Sequence, residues 1–167
     1  MLLVGGASTR FGSPKELARV GDETLAERAW RLLGEACDER IAVGKGEHAL
    51  PFDVLDDGTD VRAPLAGLVA GLRAARHDVA VVVPVDMPHL TATALHELAA
   101  ACRDAAVPPT GPLPGAYRRS ALPSLERALA DGRLKLRDVL AELDVATVEL
   151  DESMLINVNT PDDVRRL

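Results

Sequence analysis

The stretch Val79-Ala80-Val81-Val82-Val83-Pro84-Val85-Asp86-Met87-Pro88 decides the fold class of this 167-residue chain. Its first five residues are all apolar and mostly β-branched, which predicts a strand that is buried on both faces. Strands of this kind lie in the middle of parallel sheets that helices cover on both sides. The stretch therefore predicts an α/β protein in which a carboxylate, Asp86, lies just beyond the carboxyl end of the central strand.

Weaker strand and helix patterns alternate on both sides of this stretch. Apolar runs predict strands at residues 2–4, 41–43, 52–55, 105–107, 115–117 and 146–150. Helical periodicity and capping residues predict helices at 24–36, 64–75, 91–102, 120–130, 136–143 and from Thr160 onwards. This order predicts a doubly wound, mostly parallel, Rossmann-like sheet with right-handed crossovers. The length predicts a single domain over residues 1–167.

Composition argues against several classes of protein. A net charge of -7, from 19 basic and 26 acidic residues, and an aromatic content of 2% argue against nucleic-acid and anionic-membrane partners. No apolar stretch approaches the ~20 residues of a membrane span. Cys37 and Cys102 show no paired spacing typical of a disulfide framework or a zinc site. We expect a soluble, cytoplasmic protein.

The segment after the first predicted strand combines small residues with cations. It reads Gly5-Gly6-Ala7-Ser8-Thr9-Arg10-Phe11-Gly12-Ser13-Pro14-Lys15. In a doubly wound sheet such a loop lies in the crevice at the carboxyl ends of the strands. Exposed amide groups together with Arg10 and Lys15 would suit a polyphosphate. The segment matches neither the Walker P-loop nor the dinucleotide fingerprint, so a plain connection of small residues remains an alternative.

Asp86 is predicted to lie at the same edge of the sheet as this loop. A carboxylate there is a suitable ligand for magnesium, which takes one or two carboxylates and completes its shell with substrate phosphates and water. The alternative is that Asp86 only caps a turn between Pro84 and Pro88. Convergence of a phosphate-binding loop and an acidic residue in one crevice favours the metal site.

Four segments, in order along the chain, resemble the motifs of the MobA-like nucleotidyltransferases. Residues Leu3-Val4-Gly5-Gly6, Ser8, Arg10, Gly12 and Lys15 are similar to Leu-Ala-Gly-Gly-x-Ser-x-Arg-Met-Gly-x-x-Lys. The other three are Pro64-Leu65-Ala66-Gly67, Pro84-Val85-Asp86-Met87-Pro88 and Asn157-Val158-Asn159-Thr160-Pro161. They resemble the family's Gly-Pro-Leu-Ala-Gly, Pro-Cys-Asp-x-Pro and Asn-x-Asn-Thr-Pro. The similarity is strongest to the guanylyltransferases of the molybdenum cofactor.

This resemblance implies an activity and its substrates. The expected reaction transfers GMP from GTP to the molybdopterin-bound molybdenum cofactor, releases pyrophosphate and depends on Mg²⁺. Proteins that deliver the cofactor would be further partners. The resemblance also implies a nucleotide-binding half over about residues 1–104 and an acceptor-binding half over about 105–167, with the acceptor near residues 114–119.

The resemblance assigns the nucleotide-binding residues to the first loop. The backbone of Leu3, Val4 and Gly5 would meet the guanine base and the ribose, and Gly6 and Ser8 belong to the same nucleotide-binding segment. Lys15 would contact the triphosphate, with Arg10 as a second catalytic cation.

The remaining implied residues are oxygen donors. Asp56, eight residues before Pro64, would supply a carboxylate at the nucleotide site, although the adjacent Asp57 leaves the register open. Asp86 would hold magnesium. Asn159, together with Asn157, would complete the surroundings of the metal or of pyrophosphate.

Departures from the family motifs leave two alternatives open. Val4, Phe11, Pro14 and Ala63 replace the usual residues, and Gly44 stands where some relatives carry an asparagine that touches the nucleotide. One alternative is a cytidylyltransferase or another small-metabolite nucleotidyltransferase of the same family, against which Gly5-Gly6 and Asn159 argue. The other is a non-catalytic nucleotide-binding regulatory protein, against which the presence of both Lys15 and Asp86 argues.

Overall fold

The structure is a computed structural model that describes residues 1–5, 14–46 and 48–166. The described strands are β1 (Leu2–Leu3), β2 (Arg19–Val20), β3 (Glu23–Thr24), β4 (Ala42–Gly44), β5 (Val54–Asp56), β6 (Val79–Pro84), β7 (Ala105–Val107), β8 (Gly115–Arg118) and β9 (Val145–Thr147). The α-helices are α1 (Leu25–Ala36), α2 (Pro64–Ala74), α3 (Ala92–Ala101), α4 (Leu122–Ala130), α5 (Leu136–Leu140) and α6 (Pro161–Val164). Short 3-10 helices occupy Lys15–Leu17, Arg119–Ala121 and Glu152–Leu155.

A seven-stranded sheet in the order β5-β4-β1-β6-β8-β7-β9 forms the centre of the molecule. All its pairings are parallel except those of β8, which runs antiparallel to both β6 and β7. The predicted central strand is β6, the fourth of the seven, and its residues 81–83 are buried. The mostly parallel α/β sheet predicted from the sequence is therefore confirmed.

Helices cover both faces of this sheet, as a doubly wound fold requires. Leu65 and Leu72 of α2 pack with Leu125 of α4 in one core cluster. Leu33 of α1 and Leu95 of α3 belong to a second cluster on the other face. None of the helices in the described ranges is long and apolar enough to cross a membrane.

The three helix starts predicted from capping threonines are confirmed. Thr24 caps α1 through a capping box, in which its hydroxyl accepts a hydrogen bond from the Glu27 amide at 3.1 Å and its own amide donates to Glu27 Oε2 at 2.7 Å. Thr91 and Thr160 likewise accept hydrogen bonds at the starts of α3 and α6. Side-chain capping is a local interaction, which explains why the sequence predicts it well.

Element boundaries differ from the predictions by two or more residues in four places. The strand predicted at 52–55 runs over Val54–Asp56, because Phe52 instead stacks on Trp30 with ring centroids 4.3 Å apart. The helix predicted at 120–130 begins with a 3-10 turn, and the helix predicted at 136–143 ends at Leu140. The strand predicted at 146–150 is β9, which runs over Val145–Thr147. The β2–β3 hairpin was missed, because strands of two residues are too short for an alternating pattern.

Gly44 allows β1 and β4 to approach each other at the carboxyl edge of the sheet. A Cβ at this position would lie 2.2 Å from the backbone oxygen of Val4, a contact that only a shift of the strand ends could relieve. We expect Gly44→Ala to destabilise the protein by about 1–3 kcal/mol. The melting temperature should fall by roughly 3–10 °C.

Gly34→Ala is the matched control for this prediction. Its Cβ would meet the Arg40 guanidinium at 2.9 Å, and that flexible side chain can move aside. Thermal unfolding of the two variants should therefore differ, with Gly34→Ala within about 1 kcal/mol of the parent. Equal melting temperatures for both variants would contradict the tight contact at Gly44.

Candidate functional site

A cleft with a volume of about 570 Å³ opens where β1, β4 and β6 end. The carboxyl ends of these parallel strands share one edge of the sheet, which is the usual place for a ligand in an open α/β fold. The lining comprises residues 3–5, 15–16, 43–45, 57, 61–64, 67, 84–87, 110–113, 155 and 157. The cleft therefore combines the strand ends with segments from the second half of the chain.

Two predicted site residues that line the cleft, Lys15 and Asp86, meet a third, Asn159, beside it. The Nζ atom of Lys15 donates hydrogen bonds to Asp86 Oδ2 at 3.1 Å and to Asn159 Oδ1 at 3.2 Å. The side chains of Lys15 and Asp86 are 17% and 25% exposed, so a ligand in the cleft can reach them. The amide of Val158 donates to the backbone oxygen of Asp86 at 2.8 Å, and this hydrogen bond ties the C-terminal motif to the end of β6.

The oxygen atoms around Lys15 fit a hard divalent cation. A carboxylate oxygen and an amide oxygen surround the ammonium group, and magnesium prefers donors of this kind. Among residues 1–5, 14–46 and 48–166, no group of three or more His, Cys, Asp or Glu side chains could hold a metal. A cation at Asp86 would therefore need ligands from the substrate, as magnesium in phosphate-transferring enzymes commonly does.

The neighbouring carboxylates Asp56 and Asp57 have different positions. Asp57 lines the cleft and pairs with Lys45 at 2.5 Å, and its side chain is 7% exposed. Asp56 is exposed, and its carboxylate accepts a hydrogen bond from the Gly58 amide at 2.7 Å. Successive side chains of an extended segment point in opposite directions, so only one of the pair can face the cleft. Of the two carboxylates between which the sequence left the register open, Asp57 lines the cleft and Asp56 does not.

The other residues predicted for the first loop fall into two groups. Leu3, Val4 and Gly5 line the cleft, and Gly5 adopts a φ of 82° that favours glycine. Asn157 lines the cleft as well. Gly6, Ser8 and Arg10 lie outside the described residues.

Sequence reasoning missed three charged residues that line the cleft: Glu16, Lys45 and Arg62. Lys45 directly follows β4, just as Asp86 follows β6, so the rule that located Asp86 could also have located Lys45. Glu16 is 5% exposed and lies 3.7 Å from the Nε2 atom of His48. No local pattern marked this buried carboxylate.

One wall of the cleft comes from residues 110–113, and not from the predicted acceptor region at 114–119. Most of that region belongs to β8, which pairs with β6 inside the sheet. Tyr117 is fully buried, and its hydroxyl donates a hydrogen bond to the backbone oxygen of Pro112 at 2.6 Å. Burial raises the pKa of Tyr117 well above its ordinary value, so the hydroxyl remains a neutral donor that holds this wall.

A family model and curated relatives match nearly the whole chain. The family described as MobA-like NTP transferase domain matches residues 1–148. A protein of Deinococcus radiodurans named probable molybdenum cofactor guanylyltransferase is 36% identical, over 99% of this chain and 91% of the relative. A molybdenum cofactor guanylyltransferase of Burkholderia ambifaria is 35% identical, over 96% of this chain and 90% of the relative.

Solved structures show the same fold. The molybdopterin-guanine dinucleotide biosynthesis protein A of Archaeoglobus fulgidus superposes with a TM-score of 0.81 at 26% identity, covering 99% of this chain and 94% of that one. The 2-C-methyl-D-erythritol 4-phosphate cytidylyltransferase of Thermus thermophilus superposes with a TM-score of 0.76 at 20% identity, covering 99% and 95%. The second similarity concerns the fold alone.

Proposed function

Because this chain belongs to the MobA-like NTP transferase family, we propose that it transfers GMP from GTP to the molybdopterin-bound molybdenum cofactor and releases pyrophosphate. The chain is a nucleotidyltransferase. The similarity to guanylyltransferases over nearly the whole length favours GTP and molybdopterin as the substrates. The observation that carries the proposal is the meeting of Lys15, Asp86 and Asn159 at a cleft large enough for a nucleotide.

The proposed reaction is an in-line displacement at the α-phosphorus of GTP. An oxygen of the terminal phosphate of the acceptor forms the new bond to phosphorus. The bond from the α-phosphorus to the oxygen that bridges to the β-phosphorus breaks, and pyrophosphate leaves with the electron pair. The attacking phosphate is already an anion, so the protein has to neutralise charge and align the reactants but does not need to create a nucleophile.

Lys15 carries the main electrostatic role in this proposal. Its ammonium group contacts Asp86 and Asn159 in the cleft, and we propose that it binds the triphosphate there. A point charge there stabilises the charge that develops on the departing pyrophosphate. Arg10 is proposed as a second cation on the same phosphates. We also propose that nucleotide binding belongs to residues 1–104 and acceptor binding to residues 105–167.

Family membership supports dependence on a divalent metal, and we propose magnesium. Asp86 and Asn159 would hold it, with Asn157 nearby on the cleft wall. When bound, magnesium supplies positive charge beside the triphosphate and the leaving pyrophosphate. We further propose a cytoplasmic site of action, which is consistent with the free thiols of Cys37 and Cys102.

The test is release of pyrophosphate with molybdopterin, magnesium and each of the four nucleoside triphosphates in turn. We expect release with GTP and the acceptor together, and formation of the guanine dinucleotide of the cofactor. Release with CTP in place of GTP would identify a cytidylyltransferase. Thermal stabilisation by GTP without any turnover would identify a nucleotide-binding protein that is not an enzyme.

A further inference from the structure

A second ion pair, between Lys45 and Asp57, lies in the same cleft as Lys15 and Asp86. Lys45 follows β4 and Asp57 follows β5, and both strands lie on one side of β1 in the sheet. Asp86 follows β6, the neighbour of β1 on the other side. The two ion pairs therefore flank the end of β1 from opposite sides. A ligand that spans the cleft meets Lys15 at one end and Lys45 at the other.

The Lys45–Asp57 pair is built into the wall of the cleft. The side chains of Lys45 and Asp57 are 17% and 7% exposed, and Nζ lies 2.5 Å from Asp57 Oδ1. Lys45 also donates to the backbone oxygen of Thr59, whose amide donates to Asp57 Oδ1 at 3.2 Å. These contacts hold an ammonium donor beside a carboxylate acceptor. Each carboxylate oxygen has more than one lone pair, so Asp57 can still accept hydrogen bonds from a ligand.

Lys15 can serve a phosphate because the magnesium proposed at Asp86 would offset the charge of that carboxylate. No cation is proposed beside Asp57, and an ion pair that is neutral without one is a poor site for phosphate. The carboxylate of Asp57 would repel an anion that approached Lys45, and the attraction of the ammonium group would be largely cancelled. A base edge that carries an acceptor next to donors has the complementary pattern. Guanine has this pattern, because its O6 atom accepts hydrogen bonds while its 2-amino group and N1–H donate them.

We propose that Lys45 is a specificity-determining residue that donates a hydrogen bond to O6 of guanine, while Asp57 orients the ammonium group and accepts from the donor edge of the base. This inference rests on the proposed use of GTP. It adds a side-chain contact to guanine, for which the sequence predicts contacts with the backbone alone. Adenine carries an amino group in place of O6, so it would set a donor against Lys45 and leave both groups unpaired.

The experiment compares GTP with 2-aminopurine riboside triphosphate, which keeps the triphosphate and the 2-amino group but lacks O6 and the N1–H donor. The missing N1–H is common to the measurements on the parent and on the variant, so the effect of Lys45→Met on each nucleotide reports on the contact to O6. Binding of each nucleotide is measured by calorimetry for the parent and for Lys45→Met. A hydrogen bond from a charged donor predicts that GTP affinity falls by about 10- to 100-fold in Lys45→Met. Affinity for the 2-aminopurine nucleotide should change by less than about threefold, because it has no O6 to lose. Lys135→Met, outside the cleft lining, is the matched control and should leave both affinities unchanged.

The possible results separate this inference from the proposed function. An equal loss for both nucleotides would show that Lys45 acts on the phosphates or only on the fold, and would overturn the inference. The inference is also overturned if Lys45→Met prefers GTP over the 2-aminopurine nucleotide as strongly as the parent does. The proposed function would still stand in that case, provided that the parent makes product from GTP. If the parent binds CTP but not GTP, both the proposed function and the inference fail.

A second variant covers the case in which Lys45→Met does not fold. Removing one partner of a buried ion pair leaves an uncompensated charge and is often strongly destabilising. The double variant Lys45→Met, Asp57→Asn removes both charges and keeps similar side-chain volumes. With normal melting, it should show no more than about threefold preference for GTP over the 2-aminopurine nucleotide. A preserved preference in the double variant would overturn the inference.

Discussion

Replacing Asp86 by asparagine should lower turnover by at least about 100-fold while the protein folds normally. The change keeps the shape of the side chain and removes the negative charge that pairs with Lys15 at 3.1 Å. The hydrogen bond from the Val158 amide goes to the backbone oxygen of Asp86 and is therefore retained. A partly exposed ion pair contributes about 0–1 kcal/mol to stability, so the melting temperature should move by no more than roughly 3 °C.

Asp78→Asn is the matched control for Asp86→Asn. Asp78 immediately precedes the first residue of β6, at the end of the strand away from Asp86, and pairs with Arg118 on the surface. Removing its charge should leave turnover unchanged. Asn159→Ala should show a milder defect than Asp86→Asn, because the amide oxygen carries no net charge.

Two results would remove Asp86 from the mechanism. The first is normal melting with turnover within about threefold of the parent, a difference of only ~0.65 kcal/mol in the barrier. The second is a collapse of the melting temperature, which would show that the side chain supports the turn after β6. Turnover across a magnesium titration and thermal unfolding of the same samples distinguish these results from the expected one.

Lys15→Met should lower turnover by about 100-fold and weaken GTP binding. The substitution keeps a long apolar side chain in the cleft and removes the ammonium group that contacts Asp86 and Asn159. Lys15→Arg should restore little activity, because the planar guanidinium is larger than the ammonium group and is held by different contacts. Steady-state kinetics with GTP and the acceptor measure the turnover of the parent, Lys15→Met and Lys15→Arg.

The binding of truncated nucleotides tests where Lys15 acts. If the ammonium group of Lys15 contacts the triphosphate, Lys15→Met should lose affinity for GTP but keep its affinity for guanosine. Lys45→Met should show a different pattern. It should lose affinity for both GTP and guanosine, because both carry O6. If Lys15→Met turned over GTP at the parent rate, Lys15 would have no role on the triphosphate.

Local sequence patterns determined most of the fold. The β-branched run at residues 79–83 identified the central strand, because burial on both faces admits only apolar side chains there. Threonines 24, 91 and 160 identified helix starts, because a cap and the amide it binds are only three residues apart. The same patterns placed Asp86 at the carboxyl edge of the sheet, where the cleft lies.

Long-range packing decided the composition of the site. Asn159 meets Lys15 across 144 positions of sequence, and the motif around Asn159 reaches the cleft only because Val158 docks on the end of β6. Which of the adjacent carboxylates, Asp56 or Asp57, faces the cleft depends on the register of β5 against β4. Shifting a strand by one residue reverses the direction of every side chain, and neighbouring strands set that register. Pairing of β8 with β6 likewise places residues 110–113, and not 114–119, against the cleft.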